Sequence, residues 1–177
     1  MSKITLQNVR LSFPSLWRKA VFGGDETKYE GTFLLDKTTH ADVIKKIEAG
    51  IKAINADKHK GKALASDKVC LKDGDTIDYD GYAGNMSIKA SSTKRPMVVG
   101  RDKAPLTEDD GKPYAGCYVN AIVELWGQKN QFGERVNANL LAVQFAKDGE
   151  PFGDGVTASV DDFDEIVIED SDMDDFI

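Results

Sequence analysis

Residues 117–147, CYVNAIVELWGQKNQFGERVNANLLAVQFAK, read as two long strands joined by a turn and decide the fold class. Val119, Ala121, Val123 and Leu125 are all apolar and share one face by the period of two, which makes that face the core side. Tyr118, Asn120, Glu124 and Trp126 point the other way, and the segment 128–134, QKNQFGE, is expected to connect the strands. A tryptophan and a tyrosine on the outer face of a curved sheet suggest a stacking platform. Alternatively Trp126 packs beneath the long polar loop that precedes the hairpin.

Outward from the hairpin, short strands and turns dominate. The opening segment alternates Ile4 and Leu6 on one phase and Val9, Leu11 and Phe13 on the other, so its phase slips at Gln7–Asn8, as a β-bulge would cause. Pro14 is expected to end that strand, and 15–26, SLWRKAVFGGDE, to follow as a loop or short helix. KYEGTFLLD, 28–36, places Tyr29, Phe33 and Leu35 on one face. One helix is expected from an N-cap at Thr39, with Asp42 three residues on and Val43, Ile44, Ile47, Ile51 and Ile54 at helical spacing. Its opposite face, with Lys45, Lys46 and Lys52, is either a solvated face or a phosphate-attracting rim. Strands follow in KVCLKDGD and in YAGNMSIKASS, where Met86, Ile88 and Ala90 alternate with Ser87, Lys89 and Ser91. KRPMVVG reads as an edge strand or a bend because of Pro96, and 101–114 as a polar loop. The fold expected is mainly β with one helix, a barrel of the OB type over residues 1–155, followed by a disordered acidic tail over 156–177.

The net charge of -7 would argue against nucleic acid if it were evenly spread. It is not. Residues 161–177 hold nine acids and no base, which leaves 21 acids against 23 bases, a net of +2; ending the count at Lys147 leaves +5. A mildly basic body with an acidic tail is the asymmetry of a chain that has an interaction tail. The tail's few apolar residues cannot offset its ordering entropy. With Asp170, Asp172, Asp174, Asp175, Phe176 and Ile177 near its end, it suits a competitor for the body's basic groove that also docks partner proteins.

Catalytic and cofactor motifs are not found, so the chain is expected to be no enzyme and to need no cofactor. Asp73, Asp75, Asp78 and Asp80 in DGDTIDYDG are the best metal candidate, but the spacing fails the calcium-loop pattern, with Ser87 where the bidentate glutamate belongs. A nuclease using these acids is one competing class. The other is an acidic protein-interaction factor that mimics DNA or inhibits a host nucleic-acid enzyme. Cys70 and Cys117 read as buried free thiols; with His40 and His59 they are all the cysteines and histidines present, so a zinc cage would need all four to converge. No apolar run is long enough to span a membrane and the first residues lack an export signal, so a cytoplasmic location is expected, that of the host if a phage encodes the chain.

Single-strand binding requires cations for the backbone and π-faces for unstacked bases. The sequence offers Trp17, Arg18, Lys19, Phe22, Lys28 and Tyr29 near its start, Lys89, Lys94, Arg95, Arg101 and Lys103 in its middle, and Tyr118, Trp126 and Arg135 on the hairpin.

RPMVVG, YAGCYVNAIVELW and LLAVQFAKDGEPFG resemble the signatures of a phage protein family long described as a domain of unknown function, similar to phage single-stranded-DNA-binding proteins. The resemblance spans about residues 1–155. It implies an OB barrel, sequence-tolerant binding of single-stranded DNA in phage replication or recombination, and often a homodimer. The tail resembles the acidic tip of bacterial and podoviral single-strand-binding proteins, which implies replication or recombination proteins as its partners. Those tips usually finish in phenylalanine, whereas here Ile177 follows Phe176.

Overall fold

Strand β1 (Lys3–Ser15) borders both halves of the molecule, and the remaining elements are arranged around it. In the computed structural model, which describes residues 3–152 and 163–166, they follow in order as β2 (Val21–Phe22), β3 (Asp25–Glu26), β4 (Tyr29–Asp36), α1 (Ala41–Lys58), β5 (Leu71–Asp73), β6 (Asn85–Ser92), β7 (Met97–Val99), β8 (Tyr118–Asn130) and β9 (Gly133–Lys147). β1 pairs antiparallel with β4 and β8, β4 with β6, and β8 with β9; a parallel bridge from Ser91 on β6 to Asn139 on β9 closes the ring. The ring β1-β4-β6-β9-β8 is the five-stranded OB barrel expected from the sequence. β5 extends it beyond β6, and β7 runs along β9 as an edge strand.

The barrel closes because inward positions are apolar. Val119, Ala121, Val123 and Leu125 of β8 are buried against Leu6, Val9, Leu11, Phe33, Ile88 and Leu140. Phase slips bend the strands. In β1 the register shifts between Leu6 and Val9, where Asn8 takes φ 54° and its N–H donates to Asn120 Oδ1 at 2.8 Å. This is the bulge expected at Gln7–Asn8. A second shift lies between Ser12 and Ser15, with Phe13 at φ 46°. Pro14 therefore does not end the strand: pairing resumes at Ser15 opposite Glu30.

Three other local expectations are revised. The segment after Pro14 is not helical; 21–26 form a small hairpin across Gly23 and Gly24, both at positive φ, as a two-residue turn requires. The long hairpin is paired as far as Asn130 opposite Gly133, so only Gln131 and Phe132 form its tip. Thr39 does not cap the helix: His40 is the boundary residue and makes no side-chain cap. Asp36 takes the amides of Thr38 and Thr39 at 2.8 and 2.9 Å, and these bonds hold its carboxyl below the usual range.

α1 packs its apolar stripe, centred on Ile44 and Ile47, against β8. Gly127 allows the close approach, since a Cβ there would lie 2.7 Å from Ile54 Cγ2. After β9 the chain returns to the barrel: Arg10 donates to Gly116 O at 3.0 Å and to Glu150 O at 2.6 Å, and its guanidinium lies 3.9 Å from the Phe152 ring centre. Gly116, at φ 104°, leaves room for that return, because a Cβ would stand 2.2 Å from Glu150 O. Gly116→Ala is expected to cost about 2 kcal/mol or more, from left-handed strain and a backbone clash, read as a lower midpoint in urea melts.

Candidate nucleic-acid interface

The faces of β4 and β6 that point out of the barrel carry Glu30, Thr32, Ser87 and Lys89, and β5 adds Lys72 beside them. In an OB barrel these second and third ring strands form the usual oligonucleotide face. Here they floor an open groove. At one end it is walled by Phe13, Val21 and Tyr79; past Cys70, Lys72 and Lys89 it continues to Lys68, Asp67, Arg135 and Asn137.

The aromatic end follows from the second bulge in β1. With Phe13 in the left-handed region its side chain leaves the core and is 57 % exposed, against 59 % for Tyr79, and the two rings meet edge to face at 5.0 Å. Tyr79 in turn meets Tyr82 at 5.5 Å. Tyr82 is buried and donates its hydroxyl to Ser12 Oγ at 2.9 Å; burial raises its pKa. An anchored ring thus supports two exposed ones. Phe22 and Phe132 stand exposed at the tips of the β2–β3 and β8–β9 hairpins.

The other end is electropositive. Lys68, Lys72, Lys89 and Arg135 line it or its approach, together with two acids, Glu30 and Asp67. Lys89 Nζ lies 2.9 Å from Glu30 Oε2, Lys68 lies 3.9 Å from Asp67, and Lys72 forms no ion pair among the described residues. Cys70 lies in the wall, where burial pushes its thiol up to about 11 and keeps it neutral at physiological pH.

Of the candidates selected from sequence, Lys89 and Arg135 are in this groove. Trp17, Tyr29 and Arg95 gather elsewhere: Arg95 donates to Trp17 O at 3.0 Å and lies 5.9 Å from the Tyr29 ring centre, while Trp17 packs on the core. Arg18 pairs with Glu108 at 3.3 Å, and Lys19 and Lys28 belong to the base of the small hairpin. Lys94 is in the exposed turn before β7. Arg101 lies over Phe145 and Lys147 over Tyr118, on the β8–β9 side of the barrel; Trp126, half-buried, stands opposite Asn137 and so borders the cationic end of the groove. The sequence pattern does not mark Phe13, Tyr79, Lys68 or Lys72 as binding residues. Phe13 reads as a core position and Tyr79 is hidden in an acidic turn. Tail residues Asp170, Asp172, Asp174, Asp175, Phe176 and Ile177 lie outside the described residues.

The acidic turn has its own structural role. Lys37 Nζ sits between Asp73 and Asp75 at 2.7 and 2.6 Å, lowering both carboxyl pKa values as its own rises. Among the described residues no three His, Cys, Asp or Glu side chains converge as metal ligands, and no helix is long and apolar enough to cross a membrane.

Comparison with known proteins gives concordant findings. The family model described as Enterobacter phage Enc34, ssDNA-binding protein, matches residues 2–177. Protein p50 of Acyrthosiphon pisum secondary endosymbiont phage 1 is 44% identical over 174 residues, 93% of this chain and 94% of that protein. The single-stranded DNA-binding protein from bacteriophage Enc34, solved in complex with ssDNA, superposes with a TM-score of 0.77 at 35% identity, covering 85% of this chain and 89% of that one. A second structure of the Enc34 protein gives 0.77 at 34% identity over 92% and 90%.

The lowered pKa values of Asp73 and Asp75 have a definite sign in stability. Their contribution is present above the ordinary aspartate range near pH 4 and is lost as pH falls through the lowered values. Lys37→Met removes the partner, so the variant's thermal midpoint should fall less steeply than wild type between about pH 4 and pH 2, measured by circular dichroism.

Proposed function

Because the chain belongs to the phage single-stranded-DNA-binding family typified by the Enterobacter phage Enc34 protein, we propose that the β4–β6 groove binds single-stranded DNA with little sequence preference. The observation that carries this reading is the exposed Phe13–Tyr79 pair at the head of a row of cations. Exposed rings offer π-faces to unstacked bases, and Lys72, Lys89, Lys68 and Arg135 lie where a backbone leaving those bases would pass. A DNA mimic would need a folded face dominated by carboxylates; this groove is lined by four cations and two acids. The protein protects and organises strands during phage replication or recombination and acts by binding rather than turnover. Residues 1–155 form the binding unit, which can pair as a homodimer.

The tail, 156–177, modulates that binding and recruits replication or recombination proteins. Support comes from its charge and from where the described body ends. Phe152 lines a hollow together with Phe13 and Tyr79, so the following chain starts beside the aromatic end of the groove. Seventeen residues from Asp161 reach at most ~60 Å when extended. Tethering gives such a segment an effective concentration of about millimolar order.

Anisotropy with labelled oligo(dT) tests the groove. Phe13→Leu and Tyr79→Leu should each weaken binding by about 1–3 kcal/mol. Lys72→Ala with Arg135→Ala should reduce the magnitude of the salt slope by about 0.7 per lost contact. Trp17→Leu, Trp126→Leu and the pair Lys94→Ala with Arg95→Ala probe the positions chosen from sequence. If these variants lose affinity or salt slope while the groove variants bind as wild type, the interface lies elsewhere.

The tail is tested separately. Deleting 161–177 should tighten single-strand binding most at low ionic strength, because exposed charges compete there with the least screening. It should also abolish capture of replication partners. Removing Phe176 and Ile177 alone should leave DNA affinity nearly unchanged and damage partner capture, since no side-chain charge is lost. Unaltered or weaker DNA binding after full deletion at low salt would rule out competition by the tail.

A further inference from the structure

Between the aromatic end and the cationic end, the groove contains an ion pair whose members are unequally exposed. Glu30 stands opposite Ser91, one step from the Thr32–Lys89 pair, so Glu30 and Lys89 are diagonal neighbours on the outer face of β4 and β6. Their side chains are 20 % and 65 % exposed, with Oε2 and Nζ 2.9 Å apart. The carboxylate therefore lies nearer the floor and the ammonium nearer solvent. Glu30 is the one acid among the residues lining this part of the groove.

The pair carries no net charge, so a phosphate gains less here than at Lys72 or Arg135. What the pair does present is two carboxylate acceptors beside an ammonium donor, at the place where a strand with its bases stacked on Phe13 and Tyr79 would lay the next base edge. We propose that Glu30 and Lys89 form a base-edge subsite that favours guanine within an otherwise sequence-tolerant groove. The proposal rests on the groove being the single-strand site. Guanine alone among the four bases shows two adjacent donors, N1–H and N2–H, next to an acceptor, O6. Both carboxylate oxygens can accept side by side while the lysine donates to O6. Thymine offers one donor flanked by acceptors; cytosine and adenine each offer one amino donor beside a ring nitrogen. None of these engages both oxygens of the carboxylate. The neighbouring groups, Thr32 and Ser87, are hydroxyls that can donate or accept and so add little discrimination.

The test uses the full chain and four labelled oligonucleotides of one length: all-dT, and the same with a single central dG, dA or dC. The dG oligonucleotide should bind about fivefold tighter than all-dT, the low end for a bidentate base contact because the groove is open to water, and dA and dC should stay within about twofold. Glu30→Gln keeps the shape but leaves one acceptor oxygen. It should tighten all-dT binding, by freeing Lys89 for phosphate, and bring the dG advantage within about twofold of unity. Glu30→Asp keeps the charge one methylene further from the base and should also shrink the advantage. Equal wild-type affinity for all four oligonucleotides overturns the subsite while leaving the groove reading intact. A dG preference that survives Glu30→Gln overturns it as well. Failure of the wild type to bind any of the four sinks the groove reading and the subsite together.

Discussion

The structure depends on the bends in β1. A five-stranded sheet closes only if its strands coil, and β1 is the strand that must follow β4 on one edge and β8 on the other. It does so with two residues in the left-handed region, Asn8 and Phe13. Asparagine takes that conformation readily and is held there by Asn120. Phenylalanine does not. Strain of about 1–3 kcal/mol at such a residue persists only where its surroundings over-determine it. Phe13 lies in the interruption of the β1–β4 ladder between Ser12 and Ser15, where Tyr79 meets its ring, and the outcome is an aromatic ring turned out of the core towards the groove.

Charge acts locally in this chain. Its net value of -7 is largely screened beyond about 8 Å at physiological salt, so charges near the point of contact decide. The groove itself presents lysine and arginine instead. Much of the acid is gathered in the tail, and the acids of the 73–80 turn are partly engaged with Lys37. An overall acidic composition and a cationic groove are therefore compatible, and the first says little about the second.

What was legible in the sequence was whatever depends on neighbours in the chain. The long hairpin, the bulge at Gln7–Asn8, the helix with its buried Ile44 and Ile47, and the edge strand at Pro96 are all written in short-range periodicity. The aromatic end of the site was not. Phe13 continues the apolar phase of Val9 and Leu11, so a strict period of two puts it in the core; only the second bulge reverses it. Tyr79 is separated from Phe13 by every element from β2 to β5, and nothing local links them. Trp17 drew attention as a tryptophan among cations, yet its ring packs against the core. Composition cannot tell a ring that covers the core from a ring offered to a base. Lys89 is legible because the alternation of 86–91 puts it outward on a barrel strand, which does survive folding, whereas Arg135 is marked only as a cation on the hairpin.

One strand also links the site to the point where the chain leaves the barrel. Arg10 holds Glu150 and stacks on Phe152, and Phe13 lies three residues further along β1 on the far side of Leu11 and Ser12. Phe13 and Phe152 line the same hollow. Nucleic acid that draws Phe13 into a stack would alter a wall of the hollow that seats Phe152. The groove and the seat of Phe152 thus share a mechanical element. That element is short: Arg10 is paired with both β4 and β8 and its side chain makes two hydrogen bonds, and Gly116 admits no side chain beneath the returning segment.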